Sequence, residues 1–108
     1  MNPEVKQKWV NALRSGKYKQ AQYNLKSGYG YCCLGVLTDL YIEENDLKWT
    51  YDDAYDTYDF NDFEGSLCNT VIKWSDFPDG ATEDDLIAMN DSKQKTFSEI
   101  ADYIEENL

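Results

Sequence analysis

The chain has 108 residues, with 10 basic and 21 acidic side chains, no histidine and a net charge of −11. Most of such a surface repels a polyanion, which disfavours direct duplex binding and leaves basic proteins and cations as the partners it attracts. Aromatic residues make up 15% and hydrophobic residues 42%, enough to bury a core, so one globular domain over residues 1–108 is expected rather than a disordered polyelectrolyte.

The first predicted element is a helix. Asn2-Pro3 supplies an N-cap and a proline at the first helical position. Val5, Trp9 and Leu13 follow at four-residue steps with Val10 and Ala12 beside them, an amphipathic stripe that Ser15-Gly16 closes. Ala21, Tyr23 and Leu25 alternate with polar residues, as do Tyr29, Tyr31 and Cys33 beyond Ser27-Gly28. This pattern predicts a β-hairpin with a Ser-Gly turn. From Cys33 the spacing becomes helical through Val36, Leu37, Leu40 and Tyr41, which predicts a buried central helix.

The stretch YDDAYDTYDFNDFEG, residues 51–65, carries six acidic groups, three tyrosines, two phenylalanines and no base. As a helix with Thr50 as N-cap it places Tyr51, Tyr55 and Tyr58 on one face. As a strand it has no consistently apolar face, so a short or irregular helix packed through its tyrosines is expected. Ser66 reads as the N-cap of the next helix, with Leu67, Val71 and Trp74 buried, and Phe77-Pro78-Asp79-Gly80 reads as a turn. Residues 82–89 fit either a helix capped by Thr82 or a short strand. Thr96-Phe97-Ser98-Glu99 is a capping box that opens a last helix striped by Phe97, Ile100, Ala101, Ile104 and Leu108. Together these predict a small α+β domain of about four helices, with a β-hairpin between the first two. Its core is expected to hold Trp9, Leu13, Leu37, Leu40, Val71, Trp74, Phe97, Ile100 and Ile104.

Cys32-Cys33 falls at a strand-to-helix junction, where a helix N-terminus stabilises a thiolate. Without a histidine, no Cys/His pair can form. One cysteine is expected in the core and the other near the surface. Three cysteines, two of them adjacent, suit neither a disulfide framework nor a tetrahedral zinc site. Asp59–Gly65 fails the calcium-loop register: starting at Asp59 puts Phe63 at the fifth position, and shifting by one puts Phe60 at the first. Gly28, Gly30 and Gly35 match no nucleotide fingerprint. No catalytic residue, metal or cofactor is assigned. The chain shows no apolar run of the ~20 residues needed to span a bilayer and no apolar leader, so a reduced, cytoplasmic protein is expected.

Three segments carry a resemblance: KWVNALRSGKYKQ, YCCLGVLTDLY and LIAMNDSKQKTFSEIADYIEENL. They are similar to a family of small proteins of tailed phages and prophages. LCNTVIKW is a weaker fourth match, because the family more often has Leu-Pro before the Val and Trp. The resemblance implies a phage or prophage origin and a role in the host cytoplasm during infection. It brings no activity and no site residue.

Two binding surfaces are legible. Tyr51, Asp52, Asp53, Tyr55, Asp56, Tyr58, Asp59 and Asp62 form the first, a recognition surface for a host or phage protein. Tyrosines give rigid contact area and acids steer the approach. Helical acids three or four apart lie ~5–6 Å from one another and imitate a row of phosphates, which suits a partner that normally binds nucleic acid. Arg14, Lys17, Lys19 and Lys26 with Tyr23 and Tyr29 form the second, alternative surface, which would hold a nucleotide-like ligand by its phosphates beside a stacking ring. The plain alternative for both is a solvated charged face. An enzyme ranks last.

Overall fold

A computed structural model of residues 1–108 contains five helices: α1 (Pro3–Arg14), α2 (Cys33–Glu44), α3 (Asn69–Ser75), α4 (Gly80–Asn90) and α5 (Phe97–Asn107). Four short strands, β1 (Lys26–Ser27), β2 (Gly30–Tyr31), β3 (Thr50–Asp52) and β4 (Thr57–Asp59), form one antiparallel sheet in the order β2-β1-β4-β3. The class is α+β, as expected. Two features of the expectation are corrected: there are five helices rather than four, and the main hairpin lies between α2 and α3. Between α1 and α2 only the two-residue strands β1 and β2 pair. The expected first arm, residues 21–25, is irregular, because Tyr23 takes a left-handed backbone (φ 75°) and breaks the alternation.

The helix expected over residues 51–58 is replaced by the β3–β4 hairpin. Asp, Thr and Tyr are indifferent helix formers, and Thr and Tyr suit strands. Tyr51 sits directly opposite Tyr58, with ring centroids 4.8 Å apart, so the two rings share one face of the hairpin. Asp56 at φ 54° takes the left-handed conformation that closes the turn.

The local helix signals divide. Asn2 caps α1 as read, its Oδ1 accepting the N–H groups of Glu4 at 2.9 Å and Val5 at 3.2 Å. The Thr96–Glu99 capping box of α5 is also as read, with bonds of 3.1 and 3.0 Å. Helix α3 starts later than expected: Cys68, not Ser66, is the N-cap, because Leu67 is buried and its N–H donates to Glu83 Oε2 at 2.9 Å. Residues 82–89 lie in α4, whose cap is Asp79 rather than Thr82, since Asp79 Oδ1 accepts the Thr82 N–H at 2.9 Å.

The core sits between the terminal helices and α2. Trp9, Val36, Leu37, Val71, Leu86, Ile100 and Ile104 are fully buried. Leu40 and Trp74, expected among them, are half-buried; the Trp74 ring lies edge-on to Tyr41 at 5.2 Å. The segment YCCLGVL is explained by packing at the start of α2. A Cβ on Gly35 would overlap the Leu25 carbonyl oxygen, so only glycine fits. The Cys33 carbonyl accepts the indole N–H of Trp9 at 2.9 Å, and its own N–H donates to Asn90 Oδ1 at 3.2 Å. All three cysteines are free and buried, which corrects the expectation that one of the first pair lies near the surface. No helix is long and apolar enough to cross a membrane.

Candidate functional site

Three turns converge on one cleft of about 290 Å3. Tyr23 comes from the irregular segment before β1, Tyr29 from the β1–β2 turn and Tyr55 from the β3–β4 turn. These are the most exposed large hydrophobic side chains of the protein, at 74%, 76% and 78%. The sequence reading divided them between two rival surfaces, and the fold puts them on the same one.

Their backbones are fixed although their rings are free. The Tyr23 N–H donates to Asp91 Oδ1 at 3.0 Å, which holds the residue in its left-handed conformation. Asp91 is itself fixed by the Asn90 amide at 2.9 Å, and Asn90 is fully buried. The β1–β2 turn docks on the β3–β4 turn where the Gly28 N–H donates to the Asp56 carbonyl at 3.1 Å. A Cβ at Gly28 would meet the Asp56 carboxylate, which would have to swing aside to admit it. The Tyr51 hydroxyl donates to Asp56 Oδ1 at 2.8 Å, and this bond raises the Tyr51 pKa. Side chains presented from such tethered turns lose little further backbone freedom when a partner settles on them.

The acids of the hairpin surround the cleft unevenly. Asp56 lines it, and Asp52 and Asp53 lie exposed at the start of the same turn. Asp59 is half-buried in β4 opposite Thr50. Asp62 sits apart, in the tight turn between Phe60 and Phe63. Tyr51 and Tyr58 stack on each other, away from the group at the cleft.

The four basic residues of the alternative site are not brought to Tyr23 and Tyr29. Nine residues line the cleft and none is Lys or Arg. Arg14 ties α1 to α5, reaching Asp102 at 2.6 Å and Glu105 at 3.0 Å. Lys17 borders a separate cleft beside Tyr18 and Leu40. Lys19 is exposed, with its carbonyl accepting the Tyr31 N–H at 2.8 Å. Lys26 turns the other way, with its Nζ 4.4 Å from the Tyr58 ring centroid, 5.4 Å from Tyr31 and 5.7 Å from Trp49.

A second constellation lies behind that lysine, and sequence reading missed it. Asp39 of α2 is 7% exposed. Its Oδ2 accepts the Tyr18 hydroxyl at 2.7 Å and its Oδ1 the Trp49 indole N–H at 2.9 Å. Trp49 thus offers its edge to an acid and its face to a cation. Tyr31 meets Tyr18 edge-on at 4.9 Å. Burial, and then the nearby Asp39, push the Tyr31 hydroxyl up to about 12. The same two causes raise Tyr18 further. A lone acid inside the apolar run CCLGVLTDLYI was the available signal, since a buried carboxyl must find donors.

The two thiols at the start of α2 are held in the neutral form. Burial pushes Cys32 up to about 11 and raises Cys33 as well. A nucleophilic cysteine needs the opposite shift. No group of three or more His, Cys, Asp or Glu side chains is placed to hold a metal ion.

No curated protein and no solved structure matches the chain. The match to a family is complete in length: over residues 1–108 the chain belongs to the family described as a domain of unknown function, DUF8296.

Proposed function

We propose that this protein is an acidic interaction module that acts in the cytoplasm of a phage-infected or prophage-carrying cell, where it docks on a basic protein surface through the three-tyrosine cleft. The observation that carries the reading is the meeting of Tyr23, Tyr29 and Tyr55, each more than 70% exposed, on fixed turns around one cleft. Exposed tyrosines of this kind supply contact area and a polar tip, and are enriched at interfaces. The net charge of −11 and the acids of the adjoining turn favour a cationic partner. The resemblance to phage proteins supplies the setting. The phosphate-row argument for a nucleic-acid mimic required helical spacing of the acids, and the β3–β4 hairpin removes it. A nucleotide-like ligand has the rings available but no cation at the cleft for its phosphates.

The test is capture from nuclease-treated host lysate. The parent is set beside a Tyr23→Ala/Tyr29→Ala/Tyr55→Ala variant and an Asp52→Asn/Asp53→Asn/Asp56→Asn variant. The parent should retain a partner that the first variant loses. With the second variant that partner should associate more slowly, with a weaker dependence on salt. Equal capture by all three proteins would sink the reading.

A further inference from the structure

We propose that the occupant of the three-tyrosine cleft is a proline-rich segment of the partner, extended as a polyproline helix and flanked by Arg or Lys. This rests on the docking reading above and names the chemistry recognised. The cleft is open: its three tyrosines remain about three-quarters exposed. Sites that enclose a small molecule cover most of their ligand, which side chains this exposed do not. An open, ring-walled groove suits a chain laid across it.

Three further observations narrow the class of chain. Three tyrosines line the groove, and the bonds from the Tyr23 N–H to Asp91 and from the Gly28 N–H to the Asp56 carbonyl tether the segments that carry them. Polyproline segments dock in aromatic-lined grooves because both sides are preformed, so little conformational entropy is lost. The cleft presents no free strand edge: its rings stand on turns, which disfavours recognition by strand addition. Its charge has one sign. Asp56 lines it, Asp52 and Asp53 are exposed in the same hairpin, and no lining residue is basic. A basic residue beside the prolines would meet these acids, and an anionic flank would be repelled.

The probes are a polyproline peptide ending in arginines, the same peptide ending in glutamates, an alanine-for-proline version ending in arginines, and adenosine monophosphate. Each is titrated into the folded protein and followed through the tyrosine ring resonances. The arginine-ended polyproline should bind saturably, shifting Tyr23, Tyr29 and Tyr55 and leaving Tyr18 and Tyr31 in place. The glutamate-ended and alanine versions should bind at least about tenfold more weakly. Tyr55→Ala alone, a change at an exposed turn that leaves the fold intact, should weaken binding as well.

Three results would overturn the proposal: no saturable binding of the arginine-ended polyproline at millimolar concentration, equal binding of its alanine version, or ring shifts with adenosine monophosphate alone. The two readings fail separately. If the peptides fail while the lysate partner is still lost with the three-alanine variant, docking stands and only the proline-rich ligand falls. If the variant keeps its partner, docking itself falls.

Discussion

Two sets of tyrosines, interleaved in sequence, have opposite fates. Tyr18, Tyr31 and Tyr58 turn inward with Trp49 around Asp39 and Lys26. Tyr23, Tyr29 and Tyr55 stand in solvent around the cleft. Tyr29 and Tyr31 are two residues apart, and Tyr55 and Tyr58 three. The difference is the backbone beneath them. Tyr31 and Tyr58 lie on paired strands, whose registry fixes the face each ring occupies. Tyr29 and Tyr55 lie in the turns between strands, where no registry applies. Aromatic content therefore says little here about burial, and the inner set should carry stability while the outer set carries binding.

The largest effect should come from Asp39→Ala. It strands the Tyr18 hydroxyl and the Trp49 indole N–H, and should lower unfolding stability by about 3 kcal/mol in a urea titration. A change below the scatter of the titration would mean that water enters the site freely, and the inner set would not be a core. Tyr31→Ala comes next. It removes the edge-on partner of Tyr18 and one ring around Lys26 from a half-buried position, and should lose about 2 kcal/mol.

Alkaline pH should load the buried side of the molecule without mutation. Thiols and phenols ordinarily titrate near 9.0 and 10.0, but burial holds Cys32 up to about 11 and Tyr31 up to about 12. Folded pKa values above the unfolded ones mean that the unfolded chain releases these protons first. Their contribution is complete below about pH 9 and is lost as pH rises from there toward 11 to 12. The urea midpoint should fall across that window, and less steeply in Cys32→Ala.

Lys26→Met keeps the apolar stem and deletes the cation held by three rings, for a loss of about 1 kcal/mol. Smallest of all, Tyr29→Ala and Tyr55→Ala should each stay within about 0.5 kcal/mol of the parent, because their rings support nothing beneath them. A loss of 2 kcal/mol or more at Tyr55 would be a core-sized effect, and would erase the contrast between the two sets.

Short-range signals in the sequence translated well. Asn2-Pro3 and Thr96–Glu99 each complete their hydrogen bonds within four residues, so the sequence alone contains the whole motif. The sheet did not translate, because strands of two and three residues are too short to establish an alternation. One turn was legible but not read. Asn61 and Asp62, with φ of 53° and 69°, form a two-residue hairpin turn between Phe60 and Phe63, which exchange two bonds of 3.0 Å. Read only against a calcium loop, those residues look like a failure. The cleft was out of reach for a different reason. Its three tyrosines come from turns up to 32 positions apart, brought together by the β1–β4 pairing and by the fit of Gly28 against Asp56.

That pairing also bears on the order of assembly. β1 joins β4 with Lys26 opposite Tyr58, so the middle of the sheet closes a loop that contains all of α2. The pairs β1–β2 and β3–β4 are local and can form early, whereas joining them must overcome the entropy of the intervening chain. Side-chain contacts across the join, including the Lys26 cation on Tyr58, are expected to settle only after the backbone pairing that sets the barrier. Lys26→Met should accordingly speed unfolding while leaving the refolding rate nearly unchanged, a one-armed shift in the denaturant dependence of the two rates. The lysine would act as a latch on the lifetime of the folded sheet more than as a guide to its formation.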